Sequence, residues 1–178
     1  ADVSNIITIK VKRNQDPATA FTEDYRQQFH FSPEFNFMND PNGLVYDPSN
    51  GTWHMFFQHS PNLPSMMNQT WGHAQSTDLV NWVQMPTAME MDELGRIYSG
   101  SAVVDKENTT HFFDGIEGGG LVAIFTHDGG GQKQSLAYSL DKGRTWIKYE
   151  GNPVLTSKDD PCNDGAFRDP KVFWHEES

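Results

Sequence analysis

From Tyr25 onward the apolar residues fall in short aromatic and β-branched runs, separated by Gly, Asn, Asp and Pro. No window repeats its apolar positions with a helical period, so the pattern is that of an all-β chain. It predicts strands at 43–47, 53–58, 71–76, 99–105, 120–126, 134–139 and 171–174, and an earlier one at 4–12, "SNIITIKVK", followed by a polar lead-in to residue 24. Hairpins are expected to fold back at "DPSNGT" (47–52) and "HDGGGQ" (127–132), where Gly, Asn and Asp supply the turn conformations.

Two stretches repeat one another. "STDLVNW" and "SLDKGRTW" each place Ser, then Asp two residues on, then a Trp at a strand start, namely Trp82 and Trp146, a spacing that suits one four-stranded unit. In the second, Ser139-x-Asp141-x-Gly143-x-Thr145-Trp146 matches the Asp-box turn of β-propeller blades, with Ser and Asp bonding the hairpin backbone and Trp packing between sheets. A sandwich is the alternative, and repeated blades are preferred because they limit exposed edges. The length after Asn39 supplies little more than two such units, so the expectation is the front part of a longer protein or one half of a nicked one.

The 178 residues carry 24 acidic and 13 basic side chains, a formal net charge of −11. That field repels phosphate backbones and anionic lipid, so neither nucleic acid nor a membrane is the expected partner, while a neutral sugar is compatible. Cys162 is the single cysteine, which excludes a disulfide within the chain. The sequence holds no run of about 18 apolar residues. Three sequons, at Asn50, Asn68 and Asn108, and a start at Ala1 without an apolar leader point towards a secreted product whose targeting peptide has been removed. The seven histidines show no zinc-ligand spacing, and His73 reads as a packing residue bonded to a neighbouring strand. The Gly runs at 118–120 and 129–131 lack the lysine and helix of a phosphate cradle and read as turns, so no metal or cofactor is implied.

Asp-Pro occurs at 16, 40, 47, 160 and 169, and most copies must be turns; Asp40-Pro41-Asn42-Gly43 has the residue preferences of a type I turn. Two copies stand out by their neighbours. Asn39 and the aromatic run from Phe35 to Phe37 precede Asp40, whereas Arg168 precedes Asp169 and an apolar stretch follows it. Proline after each aspartate is expected to hold it in extended geometry, aimed at the mouth of a sheet assembly.

"NFMNDPNG" resembles the asparagine-aspartate-proline-asparagine-glycine signature of glycoside hydrolase family 32, the invertases, inulinases and levanases. "FRDPKV" resembles that family's arginine-aspartate-proline motif. "YRQQFHFSP", "HMFFQHSP", "TWGHAQSTDLVNW", "YSGSAVVD" and "QSLAYSLDKGRTWIKYEGNPVL" follow the family in order. The resemblance implies a five-bladed β-propeller, of which residues 25–178 would supply roughly two blades and the start of a third. It implies cleavage of β-fructofuranosidic bonds in sucrose or fructans with retention, by two carboxyl groups about 5–5.5 Å apart.

By resemblance Asp40 is the nucleophile, Asp169 the transition-state stabiliser and Arg168 its cationic neighbour. Asn39, Gln58, Met66, Trp71, Tyr98 and Ser99 match positions of the fructose pocket. Without the motif, Gln58 reads as an edge-strand polar residue and Ser99 as a turn hydroxyl. Met38 stands where the family has Trp, Met66 falls nearest a second such Trp, and methionine offers no aromatic face. The family's acid/base is a glutamate in a glutamate-cysteine motif beyond the arginine-aspartate-proline stretch. Cys162 precedes Asp169, and none of Glu90, Glu93, Glu107, Glu117, Glu150, Glu176 or Glu177 has a matching context. The segment alone is therefore expected to be nearly inert, since general acid assistance is worth roughly 10²–10⁴ in rate. A fructosyltransferase and a non-catalytic fructan-binding propeller are the alternatives.

Overall fold

A computed structural model describes residues 21–159 and 166–175. The predicted strand at 4–12, most of the lead-in and Cys162 lie outside the described residues. The rest is two antiparallel up-and-down sheets. The first runs β1 (Phe37–Asp47), β2 (Thr52–Ser60), β3 (Thr70–Ser76) and β4 (Val83–Met89) in sequence order. The second runs β5 (Arg96–Asp105), β6 (Gly120–Asp128), β7 (Gln132–Ser139) and β8 (Ile147–Lys148), with β9 (Leu155–Thr156) also on β7. Each sheet is one propeller blade, and the first strands of the two, β1 and β5, pack together.

Both predicted hairpins form: Asp47 pairs Thr52, and Asp128 pairs Gln132 across the glycine run. β4 was not foreseen because Pro86 interrupts its pattern. As the outer strand of its sheet it tolerates proline, and a register shift leaves Pro86, Thr87 and Ala88 opposite Gly72 alone. Residues 171–174 do not form the predicted strand. No ladder partner lies beside them among the described residues; their backbone bonds a side chain instead, with Val172 N donating to Ser101 Oγ and that hydroxyl donating to Pro170 O.

The repeated Ser-Asp-Trp stretches end as expected in backbone-bonded hairpins. Ser76 Oγ accepts from Leu79 N, and Asp78 Oδ1 accepts from Val80 N and Asn81 N. Ser139 Oγ accepts from Gly143 N, and Asp141 Oδ1 from Thr145 N at 2.8 Å. These donors hold both carboxyls below the usual aspartate range, although burial opposes them at Asp141. Trp146 packs between the sheets, edge-on to Phe56 of β2 at 5.2 Å. Trp82 flanks the outer side of the first sheet and donates to Leu79 O.

One core spans both sheets: Phe56, Trp71 and Met89 from the first meet Ile97, Ala102, Ala123, Phe125 and Ala137 from the second. His54 Nδ1 and His73 Nε2 lie 3.0 Å apart on adjacent strands, so His73 is the packing residue expected. Gly143 of the second sheet seats against this pair, where a Cβ would come within 2.8 Å of His54 Cε1. Burial lowers both imidazoles, and His73 falls from 6.5 to about 3 with His54 as the second cause.

Phe56→Ala removes a fully buried ring from the joint between the sheets. It is expected to cost about 3–5 kcal/mol, read as a shifted denaturation midpoint. The buried histidines are protonated more readily unfolded than folded. Stability should therefore fall as pH drops below about 6.5, down towards the folded-state value near 3. Between pH 6 and 4 the slope should be smaller in His73→Gln, measured by urea titration at each pH.

Candidate active site

The site is built by a departure from strand alternation. Met38 faces His59 and Pro41 faces Phe57, which leaves Asn39 and Asp40 together opposite Gln58. Asn42 faces Phe56 and Val45 faces His54, so Gly43 and Leu44 stand together opposite Met55. These two-against-one bulges bend β1 and re-aim its side chains. The motif at 40–43 is thus no type I turn but the bulged part of a strand. β5 repeats the first bulge: Ile97 faces His127 and Gly100 faces Phe125, leaving Tyr98 and Ser99 opposite Thr126.

The two bulges meet. Ser99 Oγ donates to Asp40 Oδ2 at 2.8 Å, and Asn39 Nδ2 lies 3.5 Å from Asp40 Oδ1. Below them Gly100 N donates to Asn42 Oδ1 at 3.4 Å, tying the inner strands together. Glycine at 100 permits β5 to lie close against β6 beside the bulge, since a Cβ there would lie 2.1 Å from Ile124 O. Asp169 arrives from the far side of β5. Its backbone has φ of 62°, not the extended geometry expected before proline, and such a conformation costs on the order of 1–3 kcal/mol and persists only where the surroundings impose it. Here Asp169 N donates to Thr126 Oγ1 at 3.0 Å, and Gln134 Nε2 donates to Phe167 O at 2.8 Å.

Asp40 and Asp169 consequently line one cleft of about 510 Å³, together with Asn42, Ser99, Ser101 and Lys171. Both carboxylates are exposed, as an acid that must meet a ligand needs to be. Arg168 Nε lies 3.5 Å from Asp169 Oδ2, with both side chains about half exposed. A larger cleft of about 1280 Å³ lies between residues 34–37, the loop at 61–64 and β4, but Glu34 is its only acid among the described residues.

The other expected pocket residues fare differently. Gln58 sits opposite the Asp40 bulge, 1% exposed, with both ends of its amide unpartnered among the described residues. Tyr98 is half-buried beneath the Arg96 guanidinium, 5.1 Å from its ring; burial, then the Asp128 carboxylate, raises its hydroxyl pKa. Trp71 cannot touch a sugar in this arrangement, because its ring is wholly enclosed by Phe56 and Phe125. It acts from beneath, its Nε1 donating to Tyr98 O at 3.0 Å. Met66 is 55% exposed on the loop after β2 and does not line the cleft with the aspartates. No glutamate lines that cleft among the described residues. Sequence reasoning passed over Asn42, Ser101, Thr126 and Gln134. Asn42, Ser101 and Gln134 lie inside the motif stretches, but Thr126 and Gln134 look like ordinary strand residues until 167–169 is seen against them.

Two carboxylates in one cleft, one bonded by a hydroxyl and an amide and the other beside a guanidinium, suit displacement at an electrophilic carbon that passes through a cation-like state. The model for the glycosyl hydrolases family 32 N-terminal domain matches residues 30–178. A levanase of Bacillus subtilis is 51% identical over 174 residues, covering 96% of this chain and 24% of its own length. The extracellular exo-inulinase of Aspergillus niger is 44% identical over 186 residues, covering 90% of this chain and 34% of its own. Among solved structures, the fructofuranosidase from Schwanniomyces occidentalis complexed with fructose superposes with a TM-score of 0.79 at 44% identity, covering 88% of this chain and 31% of that one. The chain thus spans about a quarter to a third of the length of these relatives.

Gly100→Ala should push β5 off β6 and separate Ser99 from Asp40. The expected outcome is a loss of about 1–3 kcal/mol in stability, measured by chemical denaturation.

Proposed function

The chain belongs to glycosyl hydrolase family 32, and from that premise we propose that it supplies the nucleophile half of a retaining β-fructofuranosidase acting on sucrose or a fructan. The single observation that carries this reading is the common cleft of Asp40 and Asp169. In it, Asp40 attacks the anomeric carbon of a fructosyl unit, and the bond to the leaving oxygen breaks as the ester to the enzyme forms. The hydroxyl of Ser99 and the amide of Asn39 orient the attacking carboxylate. Asp169 bears against positive charge developing on the ring, and Arg168 steadies Asp169. Gln58, buried opposite the Asp40 bulge, supports the fructose pocket from behind, Tyr98 flanks Ser99 at its edge, and Met66 stands further out on its loop. Water then opens the ester with retention.

The proton for the leaving group comes, in this reading, from a glutamate on blades beyond the two described here, which complete the propeller on residues outside this sequence. Residues 25–178 are then part of the catalytic domain, residues 1–24 lead into it, and the segment by itself is inactive. A propeller typically has four to eight blades, and the share of each relative that this chain covers supports the same division.

We also propose secretion, supported by the name of the extracellular Aspergillus relative and by sequons on exposed turns at Asn50 and Asn68. Asn108 is differently placed: its Nδ2 donates to Asp114 Oδ1 at 2.7 Å and its Oδ1 accepts from Phe113 N at 2.9 Å. A glycan there would open the loop that follows β5.

In the complete protein, Asp40→Asn should lower kcat for fructose release by on the order of 10³-fold or more. Ser99→Ala removes one hydrogen bond to a charged group and should cost roughly 10- to 100-fold. Unchanged release of fructose from sucrose, inulin and levan in Asp40→Asn overturns the reading. Fructan binding by calorimetry without sugar release would indicate a binding propeller instead, and fructosyl oligomers at high sucrose a transferase. Expressed in yeast, the protein should carry glycans at Asn50 and Asn68 and none at Asn108, read by peptide mass.

A further inference from the structure

Asp169 is held by two residues that no substrate reaches. Thr126 is fully buried on β6, and Gln134, 3% exposed, is its cross-strand partner on β7. Thr126 Oγ1 donates to Gln134 Oε1 at 3.0 Å and accepts from Asp169 N at 3.0 Å. Gln134 Nε2 donates to Phe167 O at 2.8 Å. The amide's orientation follows from its neighbours, since a carbonyl at 167 requires the NH₂ end and the hydroxyl proton then requires the oxygen. Gln134 is fixed in turn through its backbone, which accepts from Val154 N and pairs with Leu155 of β9.

We propose that Thr126 and Gln134 form a positioning pair that aims the carboxylate of Asp169 into the cleft. The proposal rests on the functional reading of Asp169 given above. Three features require such a pair. Asp169 adopts a positive φ that a non-glycine residue keeps only when its surroundings impose it. Residues 166–175 have no strand ladder of their own among the described residues, so side chains do the anchoring. The backbone of Thr126 also stands opposite the Tyr98–Ser99 bulge, so the residue that holds Asp169 lies directly behind the strand segment that carries Ser99 against Asp40. One buried residue thereby adjoins the seats of both carboxylates.

The test is kinetic, in the complete protein with fructose release as readout and kcat expressed per folded molecule. A misplacement near 1 Å can cost on the order of 10²-fold, so Thr126→Val is expected to lower kcat by about that factor. Thr126→Ser, which keeps the hydroxyl, should stay within a few-fold of the parent. Gln134→Met should fall between them. In an Asp169→Asn background, Thr126→Val should add little, because the group it aims is already gone.

Equal losses for Thr126→Ser and Thr126→Val, or the full Thr126→Val loss persisting in the Asp169→Asn background, would show a packing role and overturn the proposal. Should Thr126→Val not fold, the Thr126→Ser and Gln134→Met comparison decides in the same way. If Asp169→Asn alone leaves hydrolysis intact, the functional reading fails and the positioning role with it. If Asp169→Asn abolishes hydrolysis while Thr126→Val and Gln134→Met do not, only the positioning pair fails.

Discussion

A strand shows its side chains to alternate faces, and the innermost strand of each sheet here breaks that rule at a corresponding place. Two residues crowd opposite one, Asn39 and Asp40 against Gln58, and Tyr98 and Ser99 against Thr126. Without the extra residue, the side chains on one flank of each bulge would turn to the opposite face. The hydrogen bond between Ser99 and Asp40 is the direct product of two such irregularities placed side by side.

Bulges are useful only if the sheets bearing them are locked together, and the joint between the sheets does this with mixed chemistry. Phe56, Trp71 and Phe125 fill the space, Trp146 closes it edge-on, and the indole of Trp71 donates to the carbonyl of Tyr98. A second tie lies at the connection between sheets, where Asp92 receives Lys148 at 2.5 Å and faces His127 at 3.2 Å. His127 in turn meets Ser135 on the neighbouring strand. Removing Trp71 would therefore disturb the backbone at Tyr98 without removing any side chain that lines the cleft of Asp40 and Asp169.

Much of this was legible in the sequence, for identifiable reasons. Runs of β-branched and aromatic residues between Gly, Asn and Asp gave six of the strands and both hairpins, because period-two burial and turn chemistry are local properties. The Ser-Asp-Trp repeat announced equivalent hairpins, since its hydrogen bonds close within five residues. The identity of the two aspartates came from motif resemblance, and their convergence on one cleft is a matter of tertiary placement. β4 escaped notice because proline masks an outer strand. Residues 171–174 misled because an apolar run does not reveal whether a ladder partner lies alongside. Trp71 was assigned to the pocket from its motif, yet its burial depends on residues from the other sheet that no local window contains.

The inner-strand bonds carry a consequence for how such a protein changes over evolutionary time. Asn42 accepts from the backbone of the next inner strand at Gly100, and Ser101 accepts from the following inner segment at Val172. Two residues before these acceptors stand Asp40 and Ser99, so the two sheets offer corresponding seats beside the cleft that Asp169 also lines. Because the seats are held by backbone and by anchors one step away, their occupants are free to diverge without disturbing the scaffold. Sheets of one plan can thereby carry different chemistry, one seat at a time.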